Sequence, residues 1–173
     1  EHALFVIDRI QAAKPTTTVW NWLLNHRDDE CAIDVVDPHT IVMRRRMAGM
    51  KLFHLAKARM NGPIYGYLHD LYHPEPNQLG EGRPGSGWLF RWIEPQAQTS
   101  RAAVHAFAMD EAGRINDWEA SSQEDNYTLS DGKARWSLNV ESTDPLMLRL
   151  CCEETGGCWQ LGEYAEGWRL TGT

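Results

Sequence analysis

Short apolar and β-branched runs, separated by turns of a few residues, constrain the fold of this chain more than any other feature. Eleven such runs are present, at residues 3–10, 16–25, 31–36, 40–46, 50–60, 88–93, 100–109, 134–140, 147–152, 158–164 and 168–171. Runs of this kind indicate strands, and no helical pattern longer than two turns interrupts them. Turns as short as Asp37-Pro38-His39 join antiparallel neighbours, so the four runs between residues 16 and 60 are predicted to form one meander. The sequence therefore predicts an all-β fold, a two-sheet antiparallel β-sandwich of about 11–12 strands.

The length and composition are those of a single globular domain that spans residues 1–173. Hydrophobic residues make up 42% and charged residues 24% of the chain, which is ordinary for a globular domain. The formal net charge of −7 argues against nucleic acid as the partner, although a local basic patch can still bind an anionic polysaccharide. No apolar stretch has the length of about 20 residues that spans a bilayer, so no membrane partner is expected.

The four cysteines are Cys31, Cys151, Cys152 and Cys158. Cys152 and Cys158 flank Glu-Glu-Thr-Gly-Gly, a hairpin-turn pattern, so one interpretation is a disulfide across this hairpin. The alternative is that these residues are buried thiols. The spacing does not match a zinc ribbon, which needs two spaced cysteine pairs.

Residues 61–87 contain six Gly and four Pro, which predicts a long ordered loop or a hairpin with an extended tip. The residues with side chains suited to acid–base chemistry in its first half are Tyr67, His69, Tyr72 and His73, and we take them as catalytic candidates. Tyr side chains also serve as amphipathic loop anchors, so the cluster has a structural alternative. Arg83, in the glycine-rich second half, points to solvent or to an anionic sugar. Trp88 follows the loop and is the other substrate-binding candidate, although the alternating residues Trp88, Phe90 and Trp92 are most simply core.

His26, Asp37 and His54 are the candidate ligands for one divalent metal, zinc or calcium. If the predicted meander is right, their strands lie in one sheet, and two imidazoles and a carboxylate could converge there. Zinc takes such ligand sets, with about three protein ligands when a water position stays open. A histidine between apolar neighbours is, however, more often a hydrogen-bonded core residue.

Two stretches near the start carry a family resemblance. They are Leu4-Phe5-Val6-Ile7-Asp8-Arg9-Ile10 and, after a Lys14-Pro15 turn, Trp20-Asn21-Trp22-Leu23-Leu24-Asn25-His26. Over the first 60 residues or so, the chain resembles the C-terminal β-sandwich of the heparinase II/III-like polysaccharide lyases. In that family a Val-Val-Asp-Arg strand is followed by a strand ending in Trp-Leu-Leu-His. Here Asn25 stands at the place of that His, and His26 comes one residue later.

The resemblance implies an extended, supersandwich-like domain that packs beside an N-terminal α-helical toroid of the same protein, with substrate bound between the two. This chain is then expected to be a fragment of that longer chain. Such enzymes cleave uronate-containing polysaccharides by β-elimination, using a base, a group that neutralises the carboxylate, and an acid. Most catalytic residues of the family lie on the toroid, so the isolated sandwich is expected to be inactive. Some members hold a structural metal in the sandwich.

Three functions therefore remain open for this sandwich. The first is part of the substrate cleft of a secreted or periplasmic polysaccharide lyase. The second is a non-catalytic carbohydrate-binding module with an exposed aromatic platform. The third is a structural sandwich that braces a neighbouring domain, which would show an exposed apolar face and no ligand cleft.

Overall fold

The computed structural model describes residues 2–25, 31–65 and 87–172, and these residues form fourteen strands in three antiparallel sheets. In spatial order, the central sheet contains β1 (Ala3–Thr16), β8 (Gln98–Glu111), β5 (Ala48–His54), β4 (Thr40–Arg44) and β3 (Ala32–Asp37). The three-stranded sheet contains β2 (Val19–Asn25), β7 (Gly87–Ile93) and β6 (Arg59–Tyr65). The six-stranded sheet contains β14 (Gly167–Gly172), β13 (Cys158–Tyr164), β12 (Leu146–Cys152), β11 (Arg135–Thr143), β10 (Asn126–Ser130) and β9 (Glu119–Gln123).

The central sheet is the middle layer, with the other two sheets packed on its opposite faces. On one face, Leu52 and Phe107 share a core with Trp92 and other residues of the three-stranded sheet. On the other face, Val104 packs with Leu138 and further leucines of the six-stranded sheet. The two cores are separate because successive side chains of a strand point to opposite faces.

Burial on both faces explains the sequence of β8. A strand covered on one side alternates apolar and polar residues, whereas a strand covered on both sides is apolar throughout. The segment 102–108 of β8 reads Ala-Ala-Val-His-Ala-Phe-Ala, and its residues 103–108 are buried. Two histidines lie in this middle layer, His105 of β8 and His54 of β5, and both are buried.

The all-β sandwich that the sequence predicts is confirmed, with a third sheet that the sequence did not predict. Strands β3, β4 and β5 form the predicted meander, but β2 lies in the three-stranded sheet. The run at residues 50–60 divides into β5 and β6, which belong to different layers. In the described part of the chain, the only helical element is the 3-10 turn Ile115–Asp117, and no helix there has the length and apolarity that crossing a membrane requires.

The first interpretation of the cysteines, a disulfide between Cys152 and Cys158, is wrong, because Cys158 bonds to Cys151 instead. The β12–β13 register places Cys151 directly opposite Cys158, with the two Cα atoms 4.1 Å apart. Since adjacent strand residues point to opposite faces, Cys152 points into the core, where it is a buried thiol.

Replacing Cys151 should therefore destabilise the β12–β13 hairpin. Removing a cross-link that closes a loop of this size costs about 2 kcal/mol in the chain-entropy description. We expect Cys151→Ser to lower the free energy of unfolding by about 2 kcal/mol in denaturant titrations without reductant. Cys152→Ser is the control, since it leaves the bridge intact. Of the two variants, only Cys152→Ser should lose stability when a reductant is added, because Cys151→Ser has no bridge to reduce. A reductant-sensitive Cys151→Ser protein would contradict the pairing.

Candidate functional site

A cleft of about 540 Å³ lies where the three sheets meet at one end of the molecule. The β5–β6 connection forms its floor as the chain passes from the central sheet to the three-stranded sheet. The β3–β4 turn, the β7–β8 connection and strand β9 form its walls. The described lining residues are His39, His54, Leu55, Ala56, Lys57, Ala58, Arg59, Pro95, Ala120, Ser121 and Ser122. The volume falls in the range of small-molecule sites.

The cleft is locally basic in a protein with a net charge of −7. Lys57 and Arg59 are exposed on the same rim, His39 is exposed beside them, and none of the described lining residues is acidic. A second cleft of about 540 Å³ adjoins the first and shares Arg59 and Pro95 with it. The cations and hydroxyls of the first cleft suit an anionic, hydroxyl-rich ligand.

The carboxylate of Glu94, which lines the second cleft, is neutralised from within the protein. Its Oε2 accepts a hydrogen bond from the Thr18 backbone N–H at 3.0 Å and lies 3.1 Å from Arg101 Nε. Gln98 Nε2 donates to its other oxygen at 2.9 Å. Both the Glu94 and Arg101 side chains are almost completely buried, so this ion pair leaves the positive character of the rim unchanged.

Behind the cleft, His54 and His105 form a buried pair between the central and three-stranded sheets. Their Nδ1 atoms are 3.1 Å apart, and Asp8 Oδ2 lies 3.4 Å from His105 Nε2. The Trp92 ring stacks on His54 with ring centroids 5.1 Å apart. Exposed fractions of 1% for His54 and 0% for His105 place both rings out of water.

One arrangement of protons fits the contacts of the pair best. With the His105 Nε2 proton facing the Asp8 carboxylate, the neutral His105 ring has only Nδ1 left as an acceptor, so His54 Nδ1 donates to it. Burial, with further contributions from His105 and His39, lowers the pKa of His54 to about 3. Burial also lowers the pKa of His105, against the opposing effect of Asp8. Both imidazoles are therefore neutral at pH 7.

Of the two buried histidines, His54 lines the cleft and His105 lies behind it. His54 Nε2 is buried and has no hydrogen-bond partner among the described residues. His39 stacks almost parallel to His54, with ring centroids 6.3 Å apart and an interplanar angle of 10°, and its ring is the exposed imidazole of the cleft. The cleft can thus hold an anion with Lys57, Arg59 and His39.

The predicted catalytic residues and two further predicted ligands lie outside the described residues; these are Tyr67, His69, Tyr72, His73, Arg83 and His26. Trp88 is described. It is half-buried, stacks on Phe90 with centroids 6.2 Å apart and packs against the core. It pairs with Tyr65 at one end of the three-stranded sheet, whereas Arg59 of the cleft pairs with Ile93 at the other end. The structure therefore does not bring Trp88 to the cleft.

The described residues alone do not supply a three-ligand metal site. Asp37 is exposed, and its Oδ1 accepts a hydrogen bond from the His39 backbone N–H at 2.6 Å, which closes the β3–β4 turn. His54 uses its Nδ1 in the bond to His105, and β2, which precedes His26, lies in another sheet from β5. Zinc or calcium bound by His26, Asp37 and His54 stays a prediction.

Sequence reasoning missed the cations of the cleft and the second buried histidine. Lys57 and Arg59 fall inside an apparently continuous strand run, where nothing marks them as neighbours of β9. His105 had a signal, because it is a lone polar residue within seven otherwise apolar ones.

Comparisons with known proteins add no assignment to this site. No protein-family model, no curated protein and no solved structure matches the chain significantly.

Proposed function

We propose that this chain is the C-terminal β-sandwich domain of a secreted or periplasmic polysaccharide lyase that acts on uronate-containing polysaccharides by β-elimination, and that it forms part of the substrate cleft. The observation that carries the proposal is the basic cleft, in which Lys57 and Arg59 face no carboxylate among the described lining residues. The all-β sandwich and the resemblance of the first 60 residues to heparinase II/III-like lyases support the same assignment.

The cleft matches one requirement of β-elimination. The proton beside a uronate carboxylate becomes removable when a cation offsets the negative charge that develops on the carboxylate. Lys57 and Arg59 are suited to that neutralising role, and Ser121 and Ser122 are suited to hydrogen bonds with sugar hydroxyls. The base and the acid are assigned to the neighbouring α-helical domain, together with the Tyr/His segment that contains Tyr67, His69, Tyr72 and His73.

A non-catalytic carbohydrate-binding module is the second candidate, because the same cleft would serve it without any reactive group. The two candidates differ in the product. Elimination creates a conjugated unsaturated uronate that absorbs in the ultraviolet, whereas a binding module leaves the polysaccharide intact.

Removing the two cations should weaken binding of uronate oligosaccharides to the chain. Charge-assisted hydrogen bonds contribute about 1.5–3 kcal/mol each, so we expect Lys57→Ala/Arg59→Ala to raise the dissociation constant at least tenfold in calorimetry. Lys133→Ala/Arg135→Ala is the control, since it removes two exposed cations with the same spacing on another surface, and it should change the dissociation constant less than twofold.

The same samples are tested for ultraviolet absorbance with a panel of uronate polysaccharides, beside the longest natural form of the protein. Absorbance from the longer form alone supports the lyase assignment. Binding to the cleft without absorbance from either form selects the binding module instead. Equal binding by both double variants would reject the cleft as the site.

A further inference from the structure

Strand β1 forms a long edge of the central sheet, on the side of the molecule away from β3. Of the described strands, β8 alone pairs with β1. Natural edge strands usually carry Lys, Pro or a bulge that blocks pairing with another chain. Residues 3–13 of β1 contain neither Lys nor Pro, and their register with β8 is regular from Ala3 to Gln11. From Ala3 to Gln11 this edge therefore carries no Lys, Pro or bulge, and Lys14, Pro15 and the register shift lie only at its far end.

The backbone groups that face the open side can be identified. The Met109 N–H donates to the His2 carbonyl, so His2 and Met109 form a hydrogen-bonded pair. Bonded and non-bonded pairs alternate along an antiparallel ladder. The amide groups of Phe5, Ile7 and Arg9 therefore point away from β8, and the side chains of these residues point toward the six-stranded sheet.

The six-stranded sheet extends past β1 on that side. Leu170 of β14 is paired directly with Leu161 of β13, and Leu161 packs against the core that the two sheets share. Directly paired residues point to the same face, so Leu170 also points inward, yet it is 68% exposed. Trp168, two residues away on the same face, is 56% exposed. We call this overhang, formed by Trp159, Leu161, Trp168 and Leu170, the apolar shelf.

A groove of about 250 Å³ joins the edge of β1 to the apolar shelf. Phe5 and Ile7 line one side of it, and Trp159 and Leu161 line the other. Every described lining residue is apolar. Arg9, two residues after Ile7 in β1, forms an ion pair with Glu163 of β13 at 2.5 Å. The groove thus continues the interface between the central and six-stranded sheets beyond the last strand of the central sheet.

We propose that an extended strand of a partner protein adds to the free edge of β1 and covers the apolar shelf. The partner strand hydrogen-bonds to the outward amide groups of β1, and its residues opposite Phe5 and Ile7 place apolar side chains in the groove. Its alternate residues point to the other face of the sheet. The partner is therefore recognised as a strand with an apolar residue at every second position. This surface is separate from the basic cleft and does not depend on the proposed function.

A second copy of this chain does not fit the same edge. Two β1 strands paired antiparallel about a two-fold axis would keep both six-stranded sheets on one side of the joined central sheet. Strands β13 and β14 of each copy project past β1 on that side, so they would occupy the same space. A single strand has no such layer and avoids the collision.

The test uses a synthetic nine-residue peptide that alternates Val with Lys and Thr, added to the 173-residue chain. The Lys and Thr residues are N-methylated, so that the peptide can pair only through its Val edge. We expect saturable binding, with slowed hydrogen exchange at the outward amides of Phe5, Ile7 and Arg9 measured by NMR. A control peptide carries the N-methyl groups on Val instead. It should bind at least tenfold more weakly, because pairing would turn its Val side chains away from the groove.

A matched pair of variants tests the shelf. Leu170→Lys places a charge on the inner face of β14 and should weaken the peptide at least tenfold. Thr171→Lys places the same charge on the opposite face of the same strand and should change binding less than twofold. Absence of peptide binding, equal binding to both variants, or slowed exchange away from β1 would each overturn the proposal. Light scattering that shows a dimer whose formation protects the β1 amides would also overturn it, in favour of self-association.

Discussion

Acidification from pH 7 to pH 4 is expected to lower the free energy of unfolding by about 3 kcal/mol through His54 alone. The folded-state pKa of His54 is about 3, whereas an unfolded histidine titrates near its ordinary value of 6.5. Below the higher value the unfolded chain binds a proton that the folded chain excludes. The contribution of His54 is therefore complete above about pH 6.5 and declines as the pH falls toward 3.

The charged and titratable groups around His54 also affect its pKa. His105 and His39 oppose a charge on it, and Asp8 lies beyond His105, at 3.4 Å from that ring. Several carboxyls also have lowered pKa values, namely Asp110, Asp131 and Glu163. Their contributions are lost at more acidic pH, as each titrates below its ordinary value of 3.8 or 4.5.

Urea titrations at half-unit steps from pH 7 to pH 4 measure the effect. His54→Gln keeps a side-chain donor for His105 Nδ1, but the glutamine does not titrate. Whatever the stability of this variant at pH 7, its free energy of unfolding should decrease on acidification much less steeply than that of the wild type. His2→Gln replaces an exposed histidine and should leave the wild-type slope unchanged. Equal slopes for all three proteins would show that His54 does not remain neutral in the fold.

Trp92→Ala is expected to lower the free energy of unfolding by about 4 kcal/mol, the largest effect of a single substitution considered for this chain. Trp92 is fully buried, stacks on His54 at 5.1 Å and on Phe90 at 6.4 Å, and donates its indole N–H to the Pro38 carbonyl at 2.9 Å. The substitution removes a large side chain from the interface between two layers and leaves the Pro38 carbonyl without this donor.

Trp168→Ala is the matched control, because it deletes the same side chain from the exposed shelf. We expect it to change stability by about 0.5 kcal/mol or less in the same chemical denaturation series. Trp92→Phe retains most of the ring but not the indole N–H, and should fall between the two. A loss for Trp92→Ala no larger than that for Trp168→Ala would contradict the packing of the three-stranded sheet on the central sheet.

The sequence predicts the strands that carry a clear apolar pattern and misses the elements that lack one. The Trp88, Phe90 and Trp92 alternation correctly indicated one buried face of a strand. Strands β9 and β10 were missed because they carry Ser121, Thr128 and other polar residues where strands usually carry apolar ones. The β5–β6 passage from one layer to the next was also missed. Residues 55–58 contain no Gly or Pro to mark it, so β5 and β6 read as one strand.

The candidate site was harder to predict than the fold because it is assembled from distant segments. Lys57 lies in the β5–β6 connection and Arg59 begins β6, whereas Ser121 and Ser122 belong to a strand some 60 residues later in the sequence. Nothing local to either segment indicates the other. The His54–His105 contact likewise depends on the pairing of β5 with β8. Local sequence patterns indicate little about which distant strands pair.

The position of β8 also bears on how the chain reaches this structure during synthesis. Ala3 pairs with Ala108, so β1 is synthesised before its partner strand, which follows more than a hundred residues later. At about 5–20 residues per second, that delay lasts roughly 5–20 s. Until then β1 and the β3–β4–β5 meander exist as separate pieces, each with an apolar flank open to other nascent chains. Completion of the middle layer by β8 is the event that joins them, and chaperone capture during translation would act in that interval.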